Sequence, residues 1–415
     1  MTVDVLTESR HIPGVFDRFD DLSAAHHEQI VFCRDESTGL KAIIAVHDTT
    51  LGPALGGTRF YPYRSESYAL TDVLRLSRGM TRKAAAAGMP FGGGKAVIIG
   101  DPVQLKTPGL LHAYGRFIDG LGGRYITAAD VGTTSEDLDV IGEVTDHVVG
   151  RSRSAGGSGD SGCLTAYGVF CAMQTAAERL WGKPGLHGRT VGVEGAGKVG
   201  FHLVGLLRQT GANVLVSEPY EPALERLNDE FGPVLAVNKI VDQNVDVYAP
   251  CALGATLTPE SVQSLKAKLV CGAANNQLLT QDVDGLMAAR GVLWIPDFVA
   301  NAGGLIQVGS ELQEKTADEV RDDVLKIGST VSDILDASDR DGVPPGESAI
   351  RIVESRLREA KTMPAHDWSL NGTAHTGSGP RISAELKDHD LGLNHAPTKS
   401  PAPRSASTLR VPSRA

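Results

Sequence analysis

The stretch RTVGVEGAGKVGFHLVGLLRQTGANVLVSEP, residues 189–219, restricts the fold of this chain more than any other. An apolar run leads into Gly195, Gly197 and Gly200 at the spacing G-x-G-x-x-G, a helical pattern follows, and a second apolar run, NVLVS, closes the unit. A strand that turns through such a loop into a helix gathers free backbone N–H groups at the positive helix end, which suits an anion. Gly195 permits the tight turn, Gly197 lets the backbone approach a pyrophosphate, and Gly200 lets the helix pack closely on its strand. The expected dinucleotide contacts are Gly195, Ala196, Gly197, Lys198, Val199 and Gly200. Glu218 ends the second strand, where a carboxylate can accept both ribose hydroxyls and repel a 2'-phosphate, so the expected cofactor is NAD rather than NADP. A glycine triplet alone is also an ordinary strand-to-helix turn, and Glu218 beside Pro219 also reads as a solvated loop carboxylate.

The rest of the pattern extends this unit. VDVYAP, KLVCGA and GVLWIP continue the alternation of short apolar runs with helical segments, as in a doubly wound sheet. Ahead of it, EQIVF, KAIIAV, KAVIIG and RYITA alternate with helical patterns at 68–83 and near 109–120, a second α/β region. The run GRSRSAGGSGDSG, residues 150–162, interrupts the pattern and is expected to be the hinge between two domains. Helical spacing resumes over 316–360 with a break at GVPPG, so two closing helices are expected to pack back. The expected division is a substrate, catalytic and oligomerisation domain over 1–150, a Rossmann-type dinucleotide domain over 151–330, closing helices over 331–362, and a disordered tail over 363–415. That tail is rich in Pro, Ser, Thr and Gly and has too little periodic apolar surface to offset chain entropy.

Composition excludes several partner classes. Fifty acidic against forty basic side chains leave a net charge of -10 on 415 residues, which disfavours nucleic acid and anionic membrane surfaces. Five scattered cysteines without C-x-x-C spacing read as reduced thiols, with no metal site expected. Asp4 and Glu8 stand where a signal peptide would be basic and then apolar, and no apolar run reaches the ~18 residues of a membrane span, so a cytoplasmic location is expected.

Two lysines sit in the glycine-dense run MTRKAAAAGMPFGGGKAVIIGDP: Lys83 at the end of a helix, and Lys95 opening a strand after three glycines. Consecutive glycines are entropically costly, so something requires bare backbone there. A cationic pair suits a small anionic substrate, and burial beside a second cation lowers a lysine pKa towards the range of a general base. Taken singly, Lys83 also reads as a helix C-terminal lysine complementing the dipole, and Lys95 as a solvated strand-end lysine. Asp130, after the strand RYITA, lies at the sheet edge where ligands gather, or serves as a turn residue.

The runs LGPALGGTRF, GMTRKAAAAGMPFGGGKAVIIGDP, GGRYITAADVGT, YAPCALG, CGAANNQL and PDFVANAGGLIQV, with the glycine fingerprint, resemble the glutamate/leucine/phenylalanine/valine dehydrogenase family over roughly residues 25–360. The resemblance is strongest to its branched-chain members. It implies that Lys83 holds a substrate carboxylate with backbone from the loop around Gly56 and Gly57, that Lys95 is the base activating water, and that Asp130 exchanges protons with the amino group. It further implies that Ala274, Asn276 and Asn301 line the cofactor and substrate sides of the cleft, and that Leu55, Ala128, Leu305 and Val308 surround the substrate side chain. The implied activity is NAD-dependent oxidative deamination of a branched-chain L-amino acid, valine favoured with leucine and isoleucine overlapping, in a homo-oligomer. Alternatives are a phenylalanine dehydrogenase, which differs only in the pocket, and a non-catalytic NAD-binding protein, whose mark would be loss of Lys83, Lys95 or Asp130. Glu218 in place of the usual aspartate, together with Arg82, Met89 and Pro90, departs from the family pattern.

Overall fold

The computed structural model describes residues 27–362; the expectations for the first residues and for the tail over 363–415 fall outside them. The first of two domains is built on β1 (Gln29–Asp35), β2 (Leu40–Asp48), β3 (Ala54–Tyr61), β4 (Gly92–Ile99) and β5 (Tyr125–Ala129), in the order β1-β2-β4-β3-β5. β2 runs antiparallel to both β1 and β4, whereas β3 lies between β4 and β5 and is parallel to both. Because side chains alternate along a strand, the sheet buries two apolar faces. Ile44, Val46 and Ile98 pack with Leu110 and Tyr114 of α2 (Pro108–Asp119), while Ile43, Ala45 and Val97 pack with Val73 and Leu74 of α1 (Glu66–Ala86). Ser65 caps α1 by accepting the N–H of Tyr68, and Thr107 caps α2 through that of Leu110.

Two sequence expectations need correction here. Gly56 and Gly57, expected in a loop, lie inside β3, a strand hidden by its low side-chain content; pairing on both sides supplies what propensity does not. Gly92, Gly93 and Gly94 are likewise the first three residues of β4, and Lys95 is its fourth. Their bare backbone serves the chain itself. A Cβ on Gly93 would lie 2.1 Å from the backbone nitrogen of Thr81, and one on Gly94 would lie 2.7 Å from the ring of Tyr125. Gly93 therefore lets α1 settle directly on β4, and Gly94 makes room for Tyr125.

The second domain carries β6 (Thr190–Glu194), β7 (Asn213–Ser217), β8 (Leu235–Ala236), β9 (Val247–Pro250), β10 (Leu269–Val270) and β11 (Leu293–Trp294), parallel throughout in the order β11-β10-β9-β6-β7-β8. β8, two residues long, is too short to leave a sequence pattern. After β6 the chain adds strands outward on one side, then returns to add β9 to β11 on the other. The reversal opens a crevice at the carboxyl ends of β6 and β9, where the glycine loop leads into α4 (Lys198–Gln209). α3 (Gly162–Trp181) precedes this sheet, and α5 (Ala317–Asp341) packs on it closely enough that a Cβ on Gly168 would lie 2.6 Å from Ile327 Cδ1. Residues 330 and 331 both lie inside α5.

The last helix, α6 (Pro345–Thr362), returns to the first domain. Its Arg356 donates from Nη1 to the carbonyls of Ala85 (2.7 Å) and Ala86 (2.9 Å) at the end of α1. The segment over 150–162 is tied down as well: Glu311 accepts the N–H groups of Gly150 and Ser158, and Gln307 donates to the Ser158 carbonyl. Among the described residues, no helix is long and apolar enough to cross a membrane.

Since the Thr81 backbone cannot retreat from β4 without moving all of α1, Gly93→Ala is expected to cost about 3 kcal/mol or more. A urea midpoint equal to that of the parent chain would show that α1 does not rest on the bare strand.

Candidate active site

A cleft of about 840 Å³ lies between the two domains. From the first domain it is lined by Leu55, Gly56 and Gly57 of β3, Lys83 of α1, Lys95 of β4, and Ala128 and Asp130 at the end of β5. The second domain contributes Lys198 and Val199 of the glycine loop, Asn301, and Leu305 and Val308 of the helix Gly303–Glu311. Three elements that touch one another thus deliver the three charged groups: α1 holds Lys83 in its last turn, β4 buries Lys95 to 5% exposure, and β5 releases Asp130 into a turn. Thr133 fixes that turn, its Oγ1 accepting the Asp130 N–H (2.9 Å) and donating to the Thr58 carbonyl (2.7 Å).

Charges alternate across the site. Asp130 pairs with Lys95 Nζ at 3.3 Å through one oxygen and with Arg59 Nε at 2.9 Å through the other; Arg59 reaches on to Asp72 at 2.8 Å, which also accepts the Tyr63 hydroxyl at 2.6 Å. Burial alone would raise the Asp130 pKa, but the Lys95 and Arg59 charges outweigh it and hold the carboxyl below its usual range. Burial pushes the Lys95 pKa down, and Asp130 offsets only part of that. Lys83 stands outside this chain of ion pairs. Burial first and Lys95 second bring its pKa down to about 8, and its Nζ donates to Asn275 Oδ1 (3.1 Å).

The other expected residues fall into two groups. Gly195, with φ of +96°, makes the turn after β6, and a Cβ on Gly200 would lie 1.9 Å from its carbonyl oxygen, so both are dictated by chain packing. A Cβ on Gly197 would meet nothing within 4 Å, which leaves room for an outside group at the N-terminus of α4. Ala196 is buried and its N–H donates to Glu218 Oε2 (2.7 Å), while Glu218 Oε1 accepts from Tyr220. Ala274 is buried too, its N–H donating to Pro250. Asn276 is a correction: it does not line the cleft. A left-handed backbone there (φ 52°) makes neighbouring side chains diverge, so Asn275 faces the cleft and Asn276 a separate cavity.

Sequence reasoning missed Arg59 and Asn275. Arg59 had a signal, since it is the one cation in LGGTRF and shares the strand face of Gly57, two residues earlier. Asn275 and Asn276 are indistinguishable without the backbone kink. Asn301 donates to both Asn275 Oδ1 (2.8 Å) and the Ala273 carbonyl (2.9 Å), and its own Oδ1 is buried without a hydrogen-bond partner. Such an atom is costly unless a bound molecule donates to it. Together with the open space at Gly197, it fits a dinucleotide lying across the carboxyl edge of the second sheet.

A Rossmann-type domain that faces a lysine- and aspartate-bearing α/β domain across one cleft defines a pyridine-nucleotide-dependent dehydrogenase. Residues 27–147 match the family described as Glu/Leu/Phe/Val dehydrogenase, dimerisation domain, and residues 223–344 match Glutamate/Leucine/Phenylalanine/Valine dehydrogenase. The chain belongs to this amino-acid dehydrogenase family. It is 51% identical to a valine dehydrogenase of Streptomyces virginiae over 81% of this chain and 95% of that one. It is 46% identical to a leucine dehydrogenase of Bacillus subtilis over 81% and 92% respectively. The crystal structure of L-tryptophan dehydrogenase from Nostoc punctiforme superposes with a TM-score of 0.69 at 40% identity, over 83% of this chain and 99% of that chain.

Lys83 also makes a stability prediction. Its pKa of about 8 in the fold lies below the ordinary 10.5, so between those values the unfolded chain holds the extra proton and stability rises with pH. Lys83→Met is therefore expected to exceed the parent in urea midpoint at pH 7, with the excess vanishing near pH 10.5. An excess that stayed constant with pH would show that Lys83 is not depressed.

Proposed function

We propose that this protein catalyses the reversible NAD-dependent oxidative deamination of branched-chain L-amino acids, valine foremost, to the 2-oxo acid and ammonia. The observation that carries this reading is the convergence of Lys83, Lys95 and Asp130 on a cleft that also presents the buried apolar side chains of Leu55, Ala128, Leu305 and Val308. The protonated Lys83 binds the substrate carboxylate beside the backbone of Gly56 and Gly57. That anchor aims Cα at the second domain, an orientation effect that can be worth ~7 kcal/mol or more. When bound against Gly197, Asn301 and the N-terminus of α4, the dinucleotide supplies the two-electron acceptor for the Cα–H bond.

Asp130 takes the proton that the substrate ammonium must lose before oxidation. Lys95, whose neutral amine is made more accessible by burial, removes a proton from the water that attacks the resulting iminium carbon. Asp130 then returns a proton to the departing nitrogen, and ammonia leaves as the carbinolamine hydroxyl gives its proton to the Asp130 carboxylate and the carbonyl forms. The ion pair between Asp130 and Lys95 lets one proton inventory serve both steps, with Arg59 keeping the carboxylate ionised. Glu218, at the end of β7 and within reach of the Ala196 amide, supports NAD over NADP through repulsion of a 2'-phosphate. The exposed Phe32 on the edge strand β1 supports a homo-oligomer, and five cysteines that are all free thiols support a cytoplasmic location.

Lys95→Ala is expected to lower kcat by two or more orders of magnitude while KM for the amino acid changes little, since Lys83 still holds the carboxylate. Turnover equal to the parent would remove Lys95 from the mechanism. In the substrate series, kcat/KM should fall from valine through leucine and isoleucine by about tenfold steps and collapse for glutamate, whose side-chain carboxylate finds no cation among the four apolar walls. A preference for phenylalanine or glutamate would overturn the pocket assignment.

A further inference from the structure

Arg59 divides its guanidinium between two carboxylates. Nε donates to Asp130 Oδ2 at 2.9 Å, and Nη1 donates at 2.8 Å to Oδ2 of Asp72, in the first half of α1. The same Asp72 oxygen accepts the Tyr63 hydroxyl at 2.6 Å. A guanidinium is planar and rigid, so fixing one nitrogen fixes the direction of the others. Anchored through Nη1, Arg59 meets Asp130 at Oδ2, and Oδ1 is left to Lys95. Side-chain exposure falls along the row, from 27% at Asp72 through 20% at Arg59 and 14% at Asp130 to 6% at Lys95, so water screens these charges little.

We propose that Asp72 is a positioning residue for the reaction set out above, on which the inference rests: its carboxylate ties Arg59 to α1 and balances its charge, so that Asp130 keeps one oxygen on each of two cations while protons move. After burial, the charges acting on Lys95 are those of Asp130, Arg59 and Asp72; Arg59 drives the ammonium proton off, and the two carboxylates retain it. The other titratable groups that face this row are Lys83 of α1 and the phenols of Tyr63 and Tyr125, both raised by burial and so neutral in the working range. Arg75, one turn along α1 from Asp72, lines a different cavity. Without the Asp72 charge, Arg59 acts unopposed: Lys95 loses its proton more readily, and Asp130 accepts one less readily.

The test is a 13C NMR titration of the full chain labelled at lysine Cε, with the Lys95 signal identified by its absence in Lys95→Met. In Asp72→Asn, which keeps an acceptor for Arg59 but not the charge, the Lys95 midpoint is expected to fall by about half a pH unit or more. The acid limb of kcat/KM for valine should move to lower pH with it. The same fall is expected in Asp72→Ser, so a failure of either variant to fold leaves the other, and Asp72→Glu should bring the midpoint back towards the parent. Tyr63→Phe removes a hydrogen bond but no charge; it should lower the urea midpoint and leave Lys95 where it was. The inference fails if the neutral variants leave the Lys95 midpoint unmoved or raise it, or if Tyr63→Phe moves it as far as they do. Because the titration uses no substrate, those failures are distinct from failure of the proposed reaction, which an absence of valine turnover in the parent would show.

Discussion

The contact between α1 and the glycine-bearing start of β4 governs the rest of this molecule. Lys83 and Lys95 belong to different elements, and the separation of their ammonium groups is set by how closely a helix can lie on a strand. With Gly93 beneath Thr81 the two backbones meet directly, which brings Lys83 near enough for the Lys95 charge to lower its pKa. β3 then supplies Arg59 and β5 supplies Asp130 from the same sheet, so the charged groups share a rigid support rather than a set of loops. Sites held on sheet and helix keep their geometry to a fraction of an ångström, which proton transfer over hydrogen-bond distances requires.

Such an arrangement works against stability. Lys83 is held in a form disfavoured by its surroundings, and Asn301 keeps a buried acceptor unsatisfied. An unsatisfied buried polar atom costs about 1–3 kcal/mol. Those costs are offset by two apolar faces on the first sheet and by helix packing around α3, neither of which touches substrate. The division of labour is spatial: packing dominates behind the sheets, and Lys83, Lys95 and Asp130 gather in the cleft.

Much of this was legible in the sequence because the relevant signals are local. The strands around the glycine loop, α1, and the break before α6 follow from periodicity and from Gly and Pro placement. β3 was hidden, since Gly56 and Gly57 erase the alternation that marks a strand and only its two neighbours show that it is one. The purpose of the triple glycine stayed open for a related reason: entropy indicates that bare backbone is needed without indicating whether a ligand or the chain's own helix needs it. Lys83, Lys95 and Asp130 could be named from motif and family likeness; Arg59 becomes readable only once β3 is known to be a strand, and Asn275 depends on a left-handed kink that no spacing encodes.

The bonds from Arg356 to the carbonyls of Ala85 and Ala86 span about 270 positions of the chain. As the polypeptide is synthesised from its amino end, the helix that carries Lys83 forms early, yet its final turn gains these partners only when nearly the whole described chain has emerged. Maturation of the reactive centre is thus coupled to the synthesis of α6, and a nascent chain released short of it would carry the catalytic side chains on a helix whose end remains unlatched.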